Sequence, residues 1–209
     1  MIALIDYGAG NVRSVHKALR AVGAEVVLTQ APDVVREAEK VVLPGVGAFA
    51  DCVESLARLD LIEPIREVVA RSVPFLGICV GMQVLFDYGE ELGGHGGLGL
   101  LPGRVVRFQV GPTLKVPHTG WNQVRPVRVS PLLANLPEAA WAYFNHGFYC
   151  QAEPEHILAV TRYGDDVPAV VGKGMLYGVQ FHPEKSQTMG LKLLRNFVCN
   201  VGDGDRQTR

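Results

Sequence analysis

The strongest constraint on the fold is an alternation of short apolar segments with amphipathic segments in the first half of the chain. Four apolar segments have the length and composition of buried strands: 2–6, 25–29, 40–45 and 73–79. The first segment between them places four apolar residues on one helical face: Val12, Val15, Leu19 and Val22. Strands that alternate with helices form parallel sheets with helices on both faces. We therefore predict a three-layer α/β/α fold with a central, mostly parallel sheet.

The second half of the chain has a different pattern. Several shorter β-like segments follow one another after a Gly-rich segment at 93–103, and a clear amphipathic helix returns only at 187–200. This pattern predicts antiparallel additions to a mixed sheet rather than a second repeat of the first half. We expect one domain over 1–201 and a frayed tail over 202–209, because the tail has nothing to bury.

Composition excludes several classes of function. The chain has 209 residues and a formal net charge of −1, so an extended nucleic-acid surface is not expected. No apolar segment approaches the roughly 18–20 residues that span a membrane. The amino terminus lacks the basic patch and long apolar segment of a secretory signal. We expect a cytoplasmic protein without a membrane or nucleic-acid partner.

The cysteines and glycines point to neither a metal nor a cofactor. The four cysteines are scattered without a C-x-x-C pair, which is typical of free thiols: Cys52, Cys79, Cys150 and Cys199. No Cys/His pair has the spacing of zinc ligands. The segment G-A-G-N-V-R-S at 8–14 resembles half of a dinucleotide fingerprint after a strand but lacks the third glycine. The Gly-rich segment at 93–103 lacks the G-K-[ST] of a phosphate loop.

Cys79 lies between two glycines in the segment GICVG (77–81), where a predicted strand meets a predicted helix. A strand that ends in G-x-C-x-G and turns into a helix is typical of a nucleophile elbow. Such a turn lifts the side chain above the carboxyl edge of the sheet, and the start of the helix favours a thiolate. A buried cysteine beside packing glycines is the alternative, and this segment alone does not decide between them.

The segment GVQFHPEKSQ (178–187) supplies the groups that a thiol nucleophile needs. His182 follows an apolar strand, and Glu184 lies on the same side of an extended segment because it is two residues later. Pro183 favours that extended backbone at His182. A nucleophile requires a base, and the base requires an orienting group, so Cys79, His182 and Glu184 form a candidate catalytic triad.

Six motifs resemble those of class I, triad-type glutamine amidotransferases. In chain order they are DYGAGN (6–11), LPGVGAF (43–49), GICVGMQ (77–83), PHTGWNQV (117–124), YFNHGFY (143–149) and GVQFHPEKS (178–186). PHTGWN and the pair Lys185-Ser186 narrow the resemblance to the glutaminase subunits of imidazole glycerol phosphate synthase. The resemblance covers the full length of the chain and implies a flavodoxin-like fold.

The resemblance also implies a role for each matching residue. Cys79 would attack the side-chain amide of L-glutamine, His182 would transfer the proton and Glu184 would hold the imidazole. The backbone N–H groups of Val46 and Val80 would form the oxyanion hole. Five residues would bind the substrate: Gly45, Gly47, Gln83, Gly147 and Phe148. Relatives usually have His-Ser-Tyr or His-Thr-Tyr where this chain has His146-Gly147-Phe148, so side-chain roles at 147 and 148 stay open. His146 is expected to be structural.

The resemblance implies a partner as well. Ammonia released into water would be protonated and lose its nucleophilicity, so it should pass directly to a (β/α)₈ cyclase subunit in a heterodimer. That cyclase would make imidazole glycerol phosphate and aminoimidazole carboxamide ribotide in histidine biosynthesis. Four residues match positions at the interface: Asn11, Trp121, Tyr143 and Lys185. Without the resemblance, ordinary surface roles would be favoured for these four residues.

Three alternatives remain open from the sequence. A glutaminase that feeds another ammonia-using synthase would share the triad but not the whole motif set. A cysteine peptidase of similar fold would use the elbow but would not require HPEKS. A non-catalytic binding subunit would be expected to lack Cys79 or His182, and both are present.

Overall fold

The computed structural model describes residues 1–8, 11–137 and 140–202. Within them the α-helices are α1 (Val12–Ala21), α2 (Pro32–Glu37), α3 (Phe49–Arg58), α4 (Ile62–Ala70), α5 (Val80–Gln83) and α6 (Gln187–Cys199). The strands of the first half are β1 (Ile2–Ile5), β2 (Val26–Thr29), β3 (Lys40–Gly45), β4 (Phe75–Cys79), β5 (Phe86–Gly89) and β6 (His95–Gly96). Those of the second half are β7 (Leu101–Arg107), β8 (His118–Pro126), β9 (Ala140–His146), β10 (Phe148–Ala152), β11 (Ile157–Tyr163), β12 (Asp165–Lys173) and β13 (Leu176–Val179).

The main sheet has nine strands in the order β2-β1-β3-β4-β13-β12-β11-β8-β9. The first five are parallel and follow the flavodoxin-like order, in which β13 takes the fifth place. The other four extend the sheet by antiparallel pairing. The predicted α/β class and mixed sheet are confirmed. The parallel part is smaller than a mostly parallel sheet would require, since antiparallel pairing joins half of the neighbouring strands.

A second, smaller sheet is separate from the main sheet. It has four strands in the order β10-β7-β5-β6. In β7 and β10 the register pairs Val105 with Cys150, and both side chains are fully buried. The sequence pattern indicated antiparallel additions but did not show that they divide between two sheets.

Burial explains why the central strands form where they do. All five residues of β4 are buried, as are Val41, Val42 and Leu43 in β3, which is the pattern of strands with both faces covered. Helix α1 buries Val12, Val15, Ala18 and Leu19 and packs against α6, while α2 packs against α4. The predicted alternation of strands and helices in the first half is confirmed up to Cys79.

The helix that the sequence predicts after Cys79 is much shorter than expected. Helix α5 is a single turn, and Phe86–Gly89 is a strand rather than the continuation of that helix. The reason is competition for backbone groups. The Val84 carbonyl accepts the Leu98 N–H at 2.8 Å, and the Leu85 carbonyl accepts the Leu100 N–H at 2.8 Å. The helix dipole that faces Cys79 is therefore that of a single turn.

Three glycines allow α5 to lie directly on the ends of β3 and β4. A Cβ atom on Gly81 would be 2.0 Å from the Leu43 carbonyl oxygen. A Cβ on Gly77 would be 2.4 Å from the Gly81 oxygen, and a Cβ on Gly45 would be 2.4 Å from the Gly81 nitrogen. No side chain fits at these positions, so the glycines fix how closely the turn approaches the sheet.

The end of the described chain is anchored. The Lys40 ammonium donates to the carbonyl oxygens of Phe197, Val198 and Val201 at 2.6–3.1 Å, which satisfies the carboxyl end of α6. The predicted tail over 202–209 lies outside the described residues except for Gly202, and the single domain over 1–201 stays a prediction. In the described ranges, no helix has both the length and the apolar character needed to cross a membrane.

Replacing Gly81 by alanine should lower the free energy of unfolding by about 3 kcal/mol or more, because the added methyl group would collide with backbone that cannot move away. Urea unfolding monitored by circular dichroism measures this. Gly111→Ala is the matched control, since nothing lies within 4 Å of a Cβ at that position. Equal stability of the two variants would contradict the packing argument.

Candidate active site

Cys79 ends β4 in a backbone conformation that is strained for a side-chain-bearing residue. Its φ is 55° and its ψ is −113°, and such a positive φ costs about 1–3 kcal/mol outside glycine. The residue is 3 % exposed. The strand-to-turn junction has the geometry of the predicted nucleophile elbow.

His182 lies three residues beyond the end of β13 and is hydrogen-bonded to Glu184. His182 Nδ1 lies 3.0 Å from Glu184 Oε1, and the Glu184 side chain has no exposed surface. Because Nδ1 is used by the carboxylate, Nε2 is the imidazole nitrogen left for Cys79. The second Glu184 oxygen, Oε2, has no hydrogen-bond partner among the described residues.

Ser186 fixes the segment that carries His182. Its hydroxyl donates to the His182 carbonyl at 2.6 Å and accepts the Tyr143 N–H at 3.0 Å. The His182 N–H in turn donates to the Tyr143 carbonyl at 2.9 Å. These bonds attach the His182–Ser186 turn to β9, which explains why a serine suits the position after Lys185.

Cys79 and Glu184 make the His182 imidazole a strong base. Burial lowers the pKa of His182, but hydrogen bonds and negative charge from Cys79 and Glu184 outweigh burial and raise the pKa to about 10. The arrangement therefore favours an imidazolium between two acidic groups.

A cavity of about 150 Å³ opens beside the triad. A cavity of this size accommodates a small molecule. Its lining includes Cys79 and His182 together with six of the predicted residues: Val46, Gly47, Val80, Gln83, Gly147 and Phe148. Gly45 does not line the cavity, since it packs against Gly81 and Val80.

The cavity also has lining residues to which the sequence analysis assigned no role in substrate binding. They are Glu91, Pro117, Asn145 and His146. Glu91 accepts the Phe49 N–H at 2.8 Å, so its carboxylate stands between the cavity and the first residue of α3. No local pattern around Glu91 indicates this position, because it depends on how 90–97 folds over α3.

The sequence profile of the family "Glutamine amidotransferase class-I" matches residues 3–201. The chain belongs to this family. It is 49% identical over 205 residues to "Imidazole glycerol phosphate synthase subunit HisH" of Salinibacter ruber, covering 95% of this chain and 94% of the relative. It is 50% identical to the subunit of the same name in Geobacter metallireducens, with 95% and 98% covered. At these identities the chain also belongs to the HisH family of subunits.

Solved structures agree on the fold. A glutamine amidotransferase crystal structure superposes with a TM-score of 0.74 at 20% identity, covering 94% of this chain and 96% of that chain. The structure of PurLQS from Thermotoga maritima gives a TM-score of 0.75 at 19% identity, with 94% and 96% covered. The predicted class I glutamine amidotransferase fold is confirmed.

In this class I amidotransferase, two buried histidines next to the triad differ from His182. His118 Nδ1 lies 3.0 Å from His146 Nε2, and His146 Nδ1 lies 2.8 Å from the Phe148 carbonyl oxygen. Burial lowers the pKa of His118 to about 4 and that of His146 to about 3. Both rings are neutral at physiological pH. Since both His146 nitrogens are bonded within the protein, the expected structural role of His146 fits its contacts.

Three of the four residues predicted at the amidotransferase partner interface lie together. The Trp121 ring is 6.2 Å from the Tyr143 ring, and the Lys185 ammonium is 5.7 Å from the same Tyr143 ring. Trp121 is 45 % exposed. Trp141, which the sequence did not single out, is exposed on the same face of β8 and β9, because its partner Gln123 is two residues from Trp121.

The fourth interface residue, Asn11, precedes α1 and is half-buried. Helix α1 packs against the Pro183–Lys185 turn, which brings Asn11's helix to the same side as Lys185. The preceding residues of the DYGAGN motif, 9–10, lie outside the described residues. Among the described residues, no group of three His, Cys, Asp or Glu side chains could hold a metal ion.

Cys79→Ala should lower the pKa of His182, because it removes one of the two partners that raise it. In the wild type the raised pKa contributes stability that is fully present below the unfolded value of about 6.5 and is lost as pH rises through about 10. In the variant that loss should be complete at lower pH, because only the folded-state pKa is lowered. Imidazole ¹⁵N shifts against pH measure the titration, with Cys52→Ala as the control. An unchanged His182 titration in Cys79→Ala would contradict the contact.

Proposed function

We propose that this chain hydrolyses L-glutamine to glutamate and ammonia with Cys79, His182 and Glu184 as its catalytic triad. The observation that carries the proposal is the hydrogen-bonded His182–Glu184 pair beside Cys79 at the wall of a small cavity, in a chain of the class I amidotransferase family. A thiol, a base and an orienting carboxylate are the groups that acyl transfer from an amide requires.

The proposed reaction has two steps. The Cys79 sulfur attacks the side-chain amide carbon of glutamine, and the His182 imidazolium gives its proton to the leaving nitrogen, which departs as ammonia. Water then attacks the thioester, His182 takes the proton of that water, and glutamate is released. Glu184 stabilises the imidazolium through the 3.0 Å bond to Nδ1 in both steps.

The oxyanion formed in each step needs two donors. Val80 begins α5, so its N–H is not used within the helix and is available next to Cys79. Val46 is the second proposed donor. It is 38 % exposed, and a Cβ on the neighbouring Gly47, whose φ is 91°, would meet nothing within 4 Å. The Val46 N–H belongs to the peptide that joins Gly45 to Val46, so reorienting this donor would change ψ of Gly45 and φ of Val46, beside the open position of Gly47.

Substrate binding is proposed to rest mainly on backbone. Gly47, Gly147 and Phe148 line the cavity, and two of them carry no side chain. Gln83 Nε2 donates to the Phe148 carbonyl at 3.1 Å, so Gln83 would contact glutamine through its oxygen. Glu91 offers the negative charge that the α-ammonium group of glutamine would require.

We further propose a (β/α)₈ cyclase subunit as the partner that receives the ammonia. The relatives are named as subunits of imidazole glycerol phosphate synthase, which supports a heterodimer in histidine biosynthesis. The exposed residues Trp121 and Lys185 and the half-buried Tyr143 lie next to the triad, since Tyr143 binds the His182 backbone. Asn11 would extend that interface. A cytoplasmic location and the absence of a cofactor stay predictions from the sequence.

The alternatives fit less well. A cysteine peptidase needs room for an extended polypeptide on both sides of its nucleophile, whereas the cavity beside Cys79 is about 150 Å³. Another ammonia-using synthase would be expected to have a different set of relatives than subunits named HisH.

Cys79→Ala should reduce glutamate release by about 10⁴-fold or more, since the covalent step loses its nucleophile. Glutamate is measured by an enzyme-coupled assay in the complex with the cyclase. Cys52→Ala is the control, because Cys52 is buried in α3 away from the cavity lining. It should keep its activity and lose about 1 kcal/mol of stability. Near-normal glutamate release by Cys79→Ala would exclude this nucleophile.

The isolated chain should be a poor glutaminase that becomes active when the cyclase binds its nucleotide ligand. One missing oxyanion donor costs about 10²–10³ in rate, so turning the Val46 peptide away would suffice to keep a complete triad slow. Steady-state glutamate release is compared for the chain alone, the complex and the complex with nucleotide. Equal kcat in all three states, or a change confined to KM, would rule out this mechanism.

A further inference from the structure

We propose that Gln180 is a positioning residue for the nucleophile, whose side-chain amide donates a hydrogen bond to the Cys79 sulfur. The proposal rests on the proposed function, because it concerns the reactivity of the same sulfur. Gln180 Nε2 lies 3.9 Å from Cys79 Sγ, and the Gln180 residue is 0% exposed. A fully buried amide requires hydrogen-bond partners, and one of those available here is the sulfur.

Neighbouring groups determine which end of the Gln180 amide faces the sulfur. The Phe148 carbonyl can only accept, so the Gln83 atom 3.1 Å from it must be the NH₂ group. The same NH₂ lies 3.1 Å from the Gln180 side chain, so that Gln180 atom must be the carbonyl oxygen. The remaining Gln180 group, which faces Cys79, is therefore the NH₂ donor.

The chain of bonds continues on the far side of Phe148. His146 also donates to the Phe148 carbonyl, which makes His146 Nε2 the acceptor of the His118 Nδ1 proton. His118 Nε2 then accepts from the Asn122 amide at 3.2 Å. The direction of each bond between Asn122 and Gln180 is fixed, because the Phe148 carbonyl can only accept and receives His146 on one side and Gln83 on the other.

The local backbone directs Gln180 and His182 toward the same sulfur. They are two residues apart in the bend that follows β13, where the Gln180 amide nitrogen lies 3.9 Å from the sulfur and the His182 imidazole is hydrogen-bonded to it. Phe181 between them is fully buried and packs 5.6 Å from the Phe144 ring. The Cys79 sulfur is thus approached by one group that exchanges a proton and by one neutral donor that cannot.

A neutral donor has a specific use at this position. Cys79 belongs to the apolar core together with Ile78, Val80 and Met82, whose side chains offer the sulfur no hydrogen-bond donor. A hydrogen bond to the charged form favours that form without adding a second titrating group. Gln180 does not line the cavity, so it would act through the sulfur and not through the substrate.

The test is the rate at which iodoacetamide alkylates Cys79 in the complex at pH 7, followed by mass spectrometry of the Cys79 peptide. Gln180→Met removes the donor and keeps the length of the side chain. The rate should fall about tenfold, as expected for the loss of one hydrogen bond to a charged group. In glutamine hydrolysis kcat should fall by a similar factor, with KM within about twofold. Alkylation of the exposed Cys199 in the same sample should not change.

Two further variants separate positioning from a general loss of structure. Gln180→Glu keeps the shape but presents a carboxylate oxygen to the sulfur, so its alkylation rate should fall at least as far as that of Gln180→Met. Asn196→Leu is the matched control. It removes another buried amide, which donates to the Leu132 and Ala134 carbonyls, and should lower stability without slowing Cys79 alkylation.

Gln83→Met tests the orientation of the amide. This variant removes the donor that fixes the Gln180 oxygen, so Cys79 alkylation should slow in it as well. The effects of Gln83→Met and Gln180→Met should not add in the double variant, since they act through one chain of bonds.

Unchanged alkylation and kcat in folded Gln180→Met and Gln180→Glu would overturn the proposal, as would equal slowing in Asn196→Leu. Failure of the proposed function gives a different result, because the wild-type complex would then release no glutamate whatever the alkylation rates are.

Discussion

The close approach of backbone to backbone at Gly45, Gly77 and Gly81 is the constraint on which the site depends. The first turn after Cys79 lies against the carbonyl of Leu43 at a distance that admits no Cβ atom. This contact holds Cys79 at a φ of 55° above the ends of β3, which is buried except at Lys40, and of β4, which is fully buried. The strain at one residue is offset by the burial of β3 and β4, which parallel pairing on both sides makes rigid.

The site holds histidines in opposite charge states within one small region. His182 faces a carboxylate and a thiol, so its charged form is favoured although it is buried. His118 and His146 face each other, a carbonyl and an amide. Burial lowers the pKa of both and outweighs the hydrogen bond to the Phe148 carbonyl, which acts to raise the pKa of His146, so both stay neutral. The pKa of His182 differs from those of His118 and His146 because its hydrogen-bond partners differ, since all three residues are buried. A proton can therefore move at the triad while the adjacent pair keeps fixed hydrogen-bond directions.

Much of this site could be predicted from the sequence because its signals are local. The glycines around Cys79 and the spacing of His182 and Glu184 express backbone geometry within a few residues. The short length of α5 could not be predicted, since residues 98–101 compete for the carbonyls that would have continued it. Gln180 and Glu91 were missed for a related reason. Their partners, Cys79 and the start of α3, are distant in sequence, and only the folded chain brings them together.

The Glu91 side chain takes part in two interactions: it holds the start of α3, and it is available to a ligand in the cavity. One carboxylate oxygen holds the first N–H of α3, and the residue also lines the cavity. The helix begins directly after Val46, Gly47 and Ala48. A cation that binds in the cavity would interact with the same Glu91 carboxylate that is hydrogen-bonded to the start of α3, directly after the 46–48 loop. By thermodynamic reciprocity, binding of a cation in the cavity alters the strength of the hydrogen bond between Glu91 and the Phe49 N–H. Any partner that shifts the loop in turn alters the affinity of the cavity for that cation.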